Sequence, residues 1–98
     1  MRSTRQDILS SLKKLKGEVA REYSVKKIGV FGSVARSEET EQSDVDLLVE
    51  FSKPVGFVTF MRLENFLSER LGERVDLVTA DSLKPMIRQD VLAEVVYV

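Results

Sequence analysis

Three short runs rich in β-branched and aromatic residues, Val25 to Phe31, Val45 to Phe51 and Arg74 to Thr79, alternate with stretches of helical period, which restricts the chain to a mixed α/β fold. Residues 4–22 place Ile8, Leu9, Leu12, Leu15, Val19 and Ala20 at helical spacing, with Ser3 or Thr4 positioned to cap the start. Such an amphipathic helix covers one side of a sheet. Phe57 to Leu71 repeats the pattern through Phe57, Phe60, Met61, Leu63, Phe66, Leu67 and Leu71, and closes at Gly72, a residue suited to ending a helix. Its aromatic stripe is expected in the core. The stretch Asp81-Ser82-Leu83-Lys84-Pro85 opens a last helix that runs to about Glu94, with Pro85 suited to the first turn. Val95 to Val98 is an apolar tail. The expected order is α-β-(short α)-β-α-β-α, a small mixed β-sheet of about three strands plus a short C-terminal strand, flanked by helices.

With 98 residues, 43% of them hydrophobic, residues 1–98 are expected to form one domain with one core and no second lobe. Whatever recognises a second substrate is then expected on another chain. Lys plus Arg number 15 and Asp plus Glu 16, so the chain lacks the basic field that drives broad nucleic-acid binding, and no direct nucleic-acid partner is expected. Cys and His are both absent, which excludes disulfides, thiolate nucleophiles, imidazole-based triads and Cys- or His-ligated metals. Carboxylates remain, and their hard oxygens suit magnesium or manganese. No signal-peptide pattern and no run of about 18 apolar residues is present, so the expectation is a cytoplasmic protein without a membrane partner.

The chemistry concentrates between Val30 and Val49. Asp44 and Asp46 stand two apart at the start of the second strand run, where alternation puts both carboxylates on one face. Two like charges held together cost Coulomb energy that a divalent cation turns into ligation. An Asp-x-Asp alone also fits an ordinary exposed turn. Gly32-Ser33 adds to it: Gly32 ends the first strand, and Ser33 can open a short helix whose N–H groups face an anion. If the first two strands are antiparallel, this anion-binding element lies beside the paired acids. Gly29-x-x-Gly32 is no dinucleotide fingerprint, and no P-loop pattern exists. Two acids on one strand face also suit a shared cation better than the opposite sides of a sugar ring.

Gly32-Ser33, ten intervening residues and Asp44-Val45-Asp46 resemble the signature of the minimal nucleotidyltransferases, the MNT-type members of the DNA polymerase β superfamily. Ala35-Arg36, Glu38 and Ser43-Asp44-Val45-Asp46-Leu47-Leu48-Val49 extend the match, and the element order is similar over nearly the whole chain. On alternation alone, Asp76 in Arg74-Val75-Asp76-Leu77-Val78 is a polar residue on the exposed face of an edge strand. The resemblance instead makes it the third carboxylate. Ser37 departs from the pattern, which often has Gly before the Glu; Ser can still occupy a short helix, so the departure bears on loop shape rather than on the acids.

The resemblance implies a polymerase β-like fold and a metal-dependent transfer of a nucleoside monophosphate, AMP from ATP, to a hydroxyl. It implies two magnesium ions held by Asp44 and Asp46, with Asp76 joining one of them and able to accept the acceptor's proton. Gly32 and Ser33 would hold the β- and γ-phosphates. Arg36 either supports a phosphate or pairs with Glu38 as a surface ion pair. In biological terms it implies an antitoxin that modifies a HEPN-domain toxin on tyrosine and forms a hetero-oligomer with it. Two other readings stay open: a small-molecule transferase with its acceptor site on a separate subunit, and a catalytically idle antitoxin that works by binding.

Overall fold

A computed structural model describes residues 4–38, 40 and 43–98. The elements run α1 (Arg5–Tyr23), β1 (Val25–Phe31), α2 (Gly32–Ala35), β2 (Val45–Phe51), α3 (Phe57–Leu71), β3 (Val75–Thr79), a 3₁₀ turn (Ala80–Ser82), α4 (Pro85–Glu94) and β4 (Val96–Tyr97). Thr4 caps α1 through a reciprocal box with Asp7: Asp7 N–H donates to Thr4 Oγ1 at 3.2 Å and Thr4 N–H to Asp7 Oδ2 at 3.0 Å. Ser3, the other candidate cap, lies outside the described residues. Gly72 closes α3 in the left-handed conformation, and Pro85 occupies the first turn of α4.

The sheet has the order β3-β2-β1-β4. β1 pairs antiparallel with both β2 and β4, whereas β2 and β3 run parallel, joined through α3. The sheet is therefore mixed, as the sequence suggests. One face is covered by α1 and α3. Ile8, Leu12, Leu15 and Val19 of α1 and Leu63, Leu67 and Leu71 of α3 pack with Ile28, Val30, Val45, Leu47, Val49 and Leu77 in one continuous core. Burial of this apolar area, worth about 25 cal/mol per Å², is the main force holding the elements together.

Two expectations fail in detail. Phe57, assigned to the aromatic core stripe, is 76% exposed, because it is the first residue of α3 and that turn precedes the part of the helix facing the sheet. Phe60 and Phe66 do pack against the core, with rings 6.3 Å from Phe51 and 5.4 Å from Tyr23 respectively. The last helix starts only at Pro85. Asp81 and Ser82 belong to the preceding 3₁₀ turn, since Lys84, the residue before proline, is held extended (ψ 148).

Candidate active site

The face of the sheet opposite the main core carries the acids. Along β2 the alternation sends Val45, Leu47 and Val49 into the core, which leaves Asp46 on the other face. Asp44 stands one residue before β2 with the same parity. It is exposed, whereas Asp46 is half-buried. The parallel register sets Asp46 directly beside Asp76, and the antiparallel register sets it beside Phe31, the last residue of β1. The conditional expectation about strand direction is thus met, and the Gly32 turn lies against the acids.

Gly32 meets two demands at once. Its φ of +75 lies in the left-handed region, and a Cβ there would collide with the Asp46 carboxylate. The turn and the acid can adjoin only because position 32 has no side chain. Ser33 follows inside the short helix α2, and its carbonyl accepts the Glu38 N–H at 2.8 Å.

Burial and the crowding of like charges perturb Asp46. Burial first, then the neighbouring Asp76 and Asp44, push its carboxyl up to about 6, against a smaller opposing pull from Arg36. Asp46 therefore senses both of the other acids. Asp44, however, is engaged elsewhere: Arg74 Nε lies 3.2 Å from its Oδ1. Among the described residues, no three acidic side chains are gathered closely enough to hold a metal ion as they stand.

Arg36 makes the ion pair with Glu38 that is one of its two readings, Nε to Oε2 at 3.1 Å, and a second one that the sequence does not announce, Nη1 to Glu94 Oε2 at 2.9 Å. These carboxylates, Glu38 foremost, hold its guanidinium above the usual range. The other oxygen of Glu94 accepts the Gly32 N–H at 2.8 Å. Glu94 is the residue of this candidate site that the sequence alone does not point to. It lies 62 positions from Gly32, beyond any local motif. One signal existed: a glutamate ending a helix sits badly with the helix dipole and needs compensation.

Ser37 does not occupy a short helix. It follows α2 at φ +58, a left-handed conformation that costs a residue with a Cβ about 1–2 kcal/mol. The position where the pattern often has Gly is one where glycine is the relaxed choice. A hollow of about 920 Å³ lies toward the other end of β2, among Leu48, Phe57, Phe60, Leu92 and Tyr97, and none of the three aspartates lines it.

The family model of the nucleotidyltransferase domain matches residues 12–98. This chain belongs to that family. The nucleotidyltransferase is 47% identical to the protein adenylyltransferase MntA of Thermococcus cleftensis over 95 residues, which cover 97% of this chain and 96% of the relative. A solved structure provisionally described as a minimal nucleotidyltransferase superposes with a TM-score of 0.84 at 35% identity, covering 97% of this chain and 96% of the other. The MNT antitoxin complex with tri-AMPylated Shewanella oneidensis HEPN toxin contains the same fold, with a TM-score of 0.66 at 22% identity, covering 96% of this chain and 71% of that one. The mixed sheet flanked by helices is accordingly the fold of a minimal nucleotidyltransferase. No helix among the described residues is long and apolar enough to cross a membrane.

Proposed function

We propose that this nucleotidyltransferase transfers AMP from ATP to a hydroxyl on a partner protein, and that it serves as the antitoxin of a HEPN-domain toxin. The observation that carries the chemical part is the register that sets Asp46 beside Asp76 while the Gly32 turn presses against Asp46. Asp44, Asp46 and Asp76 would hold magnesium, because the donors are all hard carboxylate oxygens and their mutual repulsion is what a divalent cation relieves. When bound, the metal supplies charge neutralisation at the phosphates and a more acidic acceptor hydroxyl. Asp44 would have to release Arg74 to take part. Ser33, on the turn made possible by Gly32, would meet the β- and γ-phosphates, and Arg36 would add positive charge beside them. Asp76, exposed at the edge strand, is open to the acceptor and would take its proton.

The protein-acceptor part draws on the T. cleftensis relative, named a protein adenylyltransferase, and on surface chemistry. Phe57, Val58, Met86, Ile87 and Leu92 are large apolar side chains left exposed, the kind of surface a protein partner covers. The test incubates the protein with labelled ATP, magnesium and its cognate partner, using wild type and the Asp44→Asn, Asp46→Asn double mutant. The partner should gain the mass of one or more AMP groups only with wild type, and only then lose its toxicity. Neutralisation by the double mutant without a mass change would make the protein an antitoxin that acts by binding. Label in a small hydroxyl compound instead would make it a small-molecule transferase.

A further inference from the structure

Glu94 ends α4, the helix with the thinnest attachment to the fold. Only Val91 of α4 is fully buried, and Arg88 ties its start to the 3₁₀ turn by donating to the Ala80 carbonyl at 2.8 Å and the Leu83 carbonyl at 3.0 Å. A carboxylate at this helix end opposes the dipole. Glu94 also stands close enough to Asp46 to repel it. Both effects disfavour an acid here. Two contacts offset them, the Gly32 N–H at 2.8 Å and Arg36 Nη1 at 2.9 Å, one to each carboxylate oxygen. Those two groups belong to the turn and the cation that flank the aspartates.

We propose that Glu94 is a positioning residue, whose carboxylate fixes the Gly32 turn and the Arg36 guanidinium in the arrangement that receives the triphosphate; this rests on the nucleotide-binding reading above. Gly32 N–H has a single hydrogen to give, and Glu94 takes it. Gly32 therefore serves the phosphates indirectly, by anchoring the turn and leaving room for Asp46, while Ser33 makes the direct contact. Arg36 is gripped on two sides, by Glu38 at Nε and by Glu94 at Nη1, so its long side chain is ordered before a ligand arrives. Preordering of this kind lowers the entropy lost on binding.

The test measures the Kd of a non-hydrolysable ATP analogue with magnesium for wild type, Glu94→Ala, Glu94→Gln, Arg36→Ala and the Arg36→Ala, Glu94→Ala double mutant. Circular dichroism establishes that each is folded at the temperature used. Glu94→Ala should weaken binding about tenfold, the scale of one charge-assisted contact. Glu94→Gln should weaken it nearly as much, because its amide can still accept from Gly32 but cannot pair with Arg36. Should the alanine variant not fold, the glutamine variant carries the same comparison with Arg36→Ala. The double mutant should lose clearly less than the sum of the two single losses, since the Arg36–Glu94 contact is removed only once and only the Gly32 contact is lost in addition. AMP, which lacks the β- and γ-phosphates, should show little change across the series.

A purely structural role predicts additive losses and an equal effect on AMP; either overturns the proposal. So does an unchanged Kd. Tighter binding by Glu94→Ala also overturns it, since Glu94 would then compete with phosphate for the same donors. If wild type itself does not bind the analogue, the nucleotide-binding reading falls, and the positioning role falls with it.

Discussion

One face of the sheet, under α1 and α3, gathers Ile8, Leu12, Val19, Leu47, Leu63 and Leu67 at 1% exposure or less, and among the described residues no charged one is buried with them. The other face carries Asp44, Asp46 and Asp76, with the Gly32 turn and the Arg36–Glu94 pair beside them. The same strands build both, because successive side chains point to opposite sides. Val45 and Leu47 stabilise the fold from the positions next to Asp46, which opposes it. The apolar face lets a small domain tolerate the like charges on the other. Perturbing each face in turn separates the two roles.

The largest effect belongs to the apolar face. Leu63→Ala, at a position with no exposure, should cost about 2–5 kcal/mol in unfolding free energy by urea titration, with any loss of transfer following from unfolding. A cost below 1 kcal/mol would mean that the core is loosely packed and the contrast between faces is weak. Gly32→Ala should cost less, about 1–2 kcal/mol for the left-handed backbone, because the Asp46 carboxylate can swing away from the new methyl. That swing should nonetheless abolish transfer, so this variant breaks function out of proportion to stability. Retained transfer would show that Asp46 need not lie against the turn.

Acidification addresses the charged face directly. The folded carboxyl of Asp46 sits at about 6, above its ordinary 3.8. Between these values the native state binds more protons than the unfolded chain, so this group's contribution to stability rises as pH falls from about 6 to about 4. At neutral pH both states are ionised, and burial of the charge together with the repulsion remains as a constant penalty. Solvent reaches half of the side chain and screens the repulsion, so the gain is about 1 kcal/mol. Metal-free wild type should therefore lose less stability on acidification to pH 5 than Asp46→Asn, as read by chemical denaturation. The smallest effect is expected at Ser37→Gly, which relieves a left-handed residue and should stabilise by about 0.5–1 kcal/mol without altering transfer.

The two faces were also unequally legible in the sequence. The period of apolar residues places β1, β2 and α3 at Val25–Phe31, Val45–Phe51 and Phe57–Leu71, because burial on one side imposes that period. It fails for Phe57, where a helix begins before it reaches the sheet. On the acidic face, Asp44, Asp46 and Gly32 are close in sequence and readable as a motif. Asp76 needed the resemblance to join them, since alternation alone leaves it an ordinary exposed residue. The strained Ser37 needed the backbone angle. Glu94 was invisible because its partners are distant in sequence and its contact depends on where α4 ends.

On the function proposed above, the acidic face gives up stability so that it can take a metal and a nucleotide. Melting temperatures at pH 7, measured for wild type and Asp46→Asn without and with magnesium, test it most directly. Without metal the Asn variant should melt higher, because one of three crowded charges is gone while the shape is kept. Magnesium should raise the melting temperature of wild type and leave that of the variant nearly unchanged, since ligands that bind only the folded state stabilise it. A variant that melts lower than metal-free wild type, or that gains as much from magnesium, would contradict the claim and return Asp46 to an ordinary structural role.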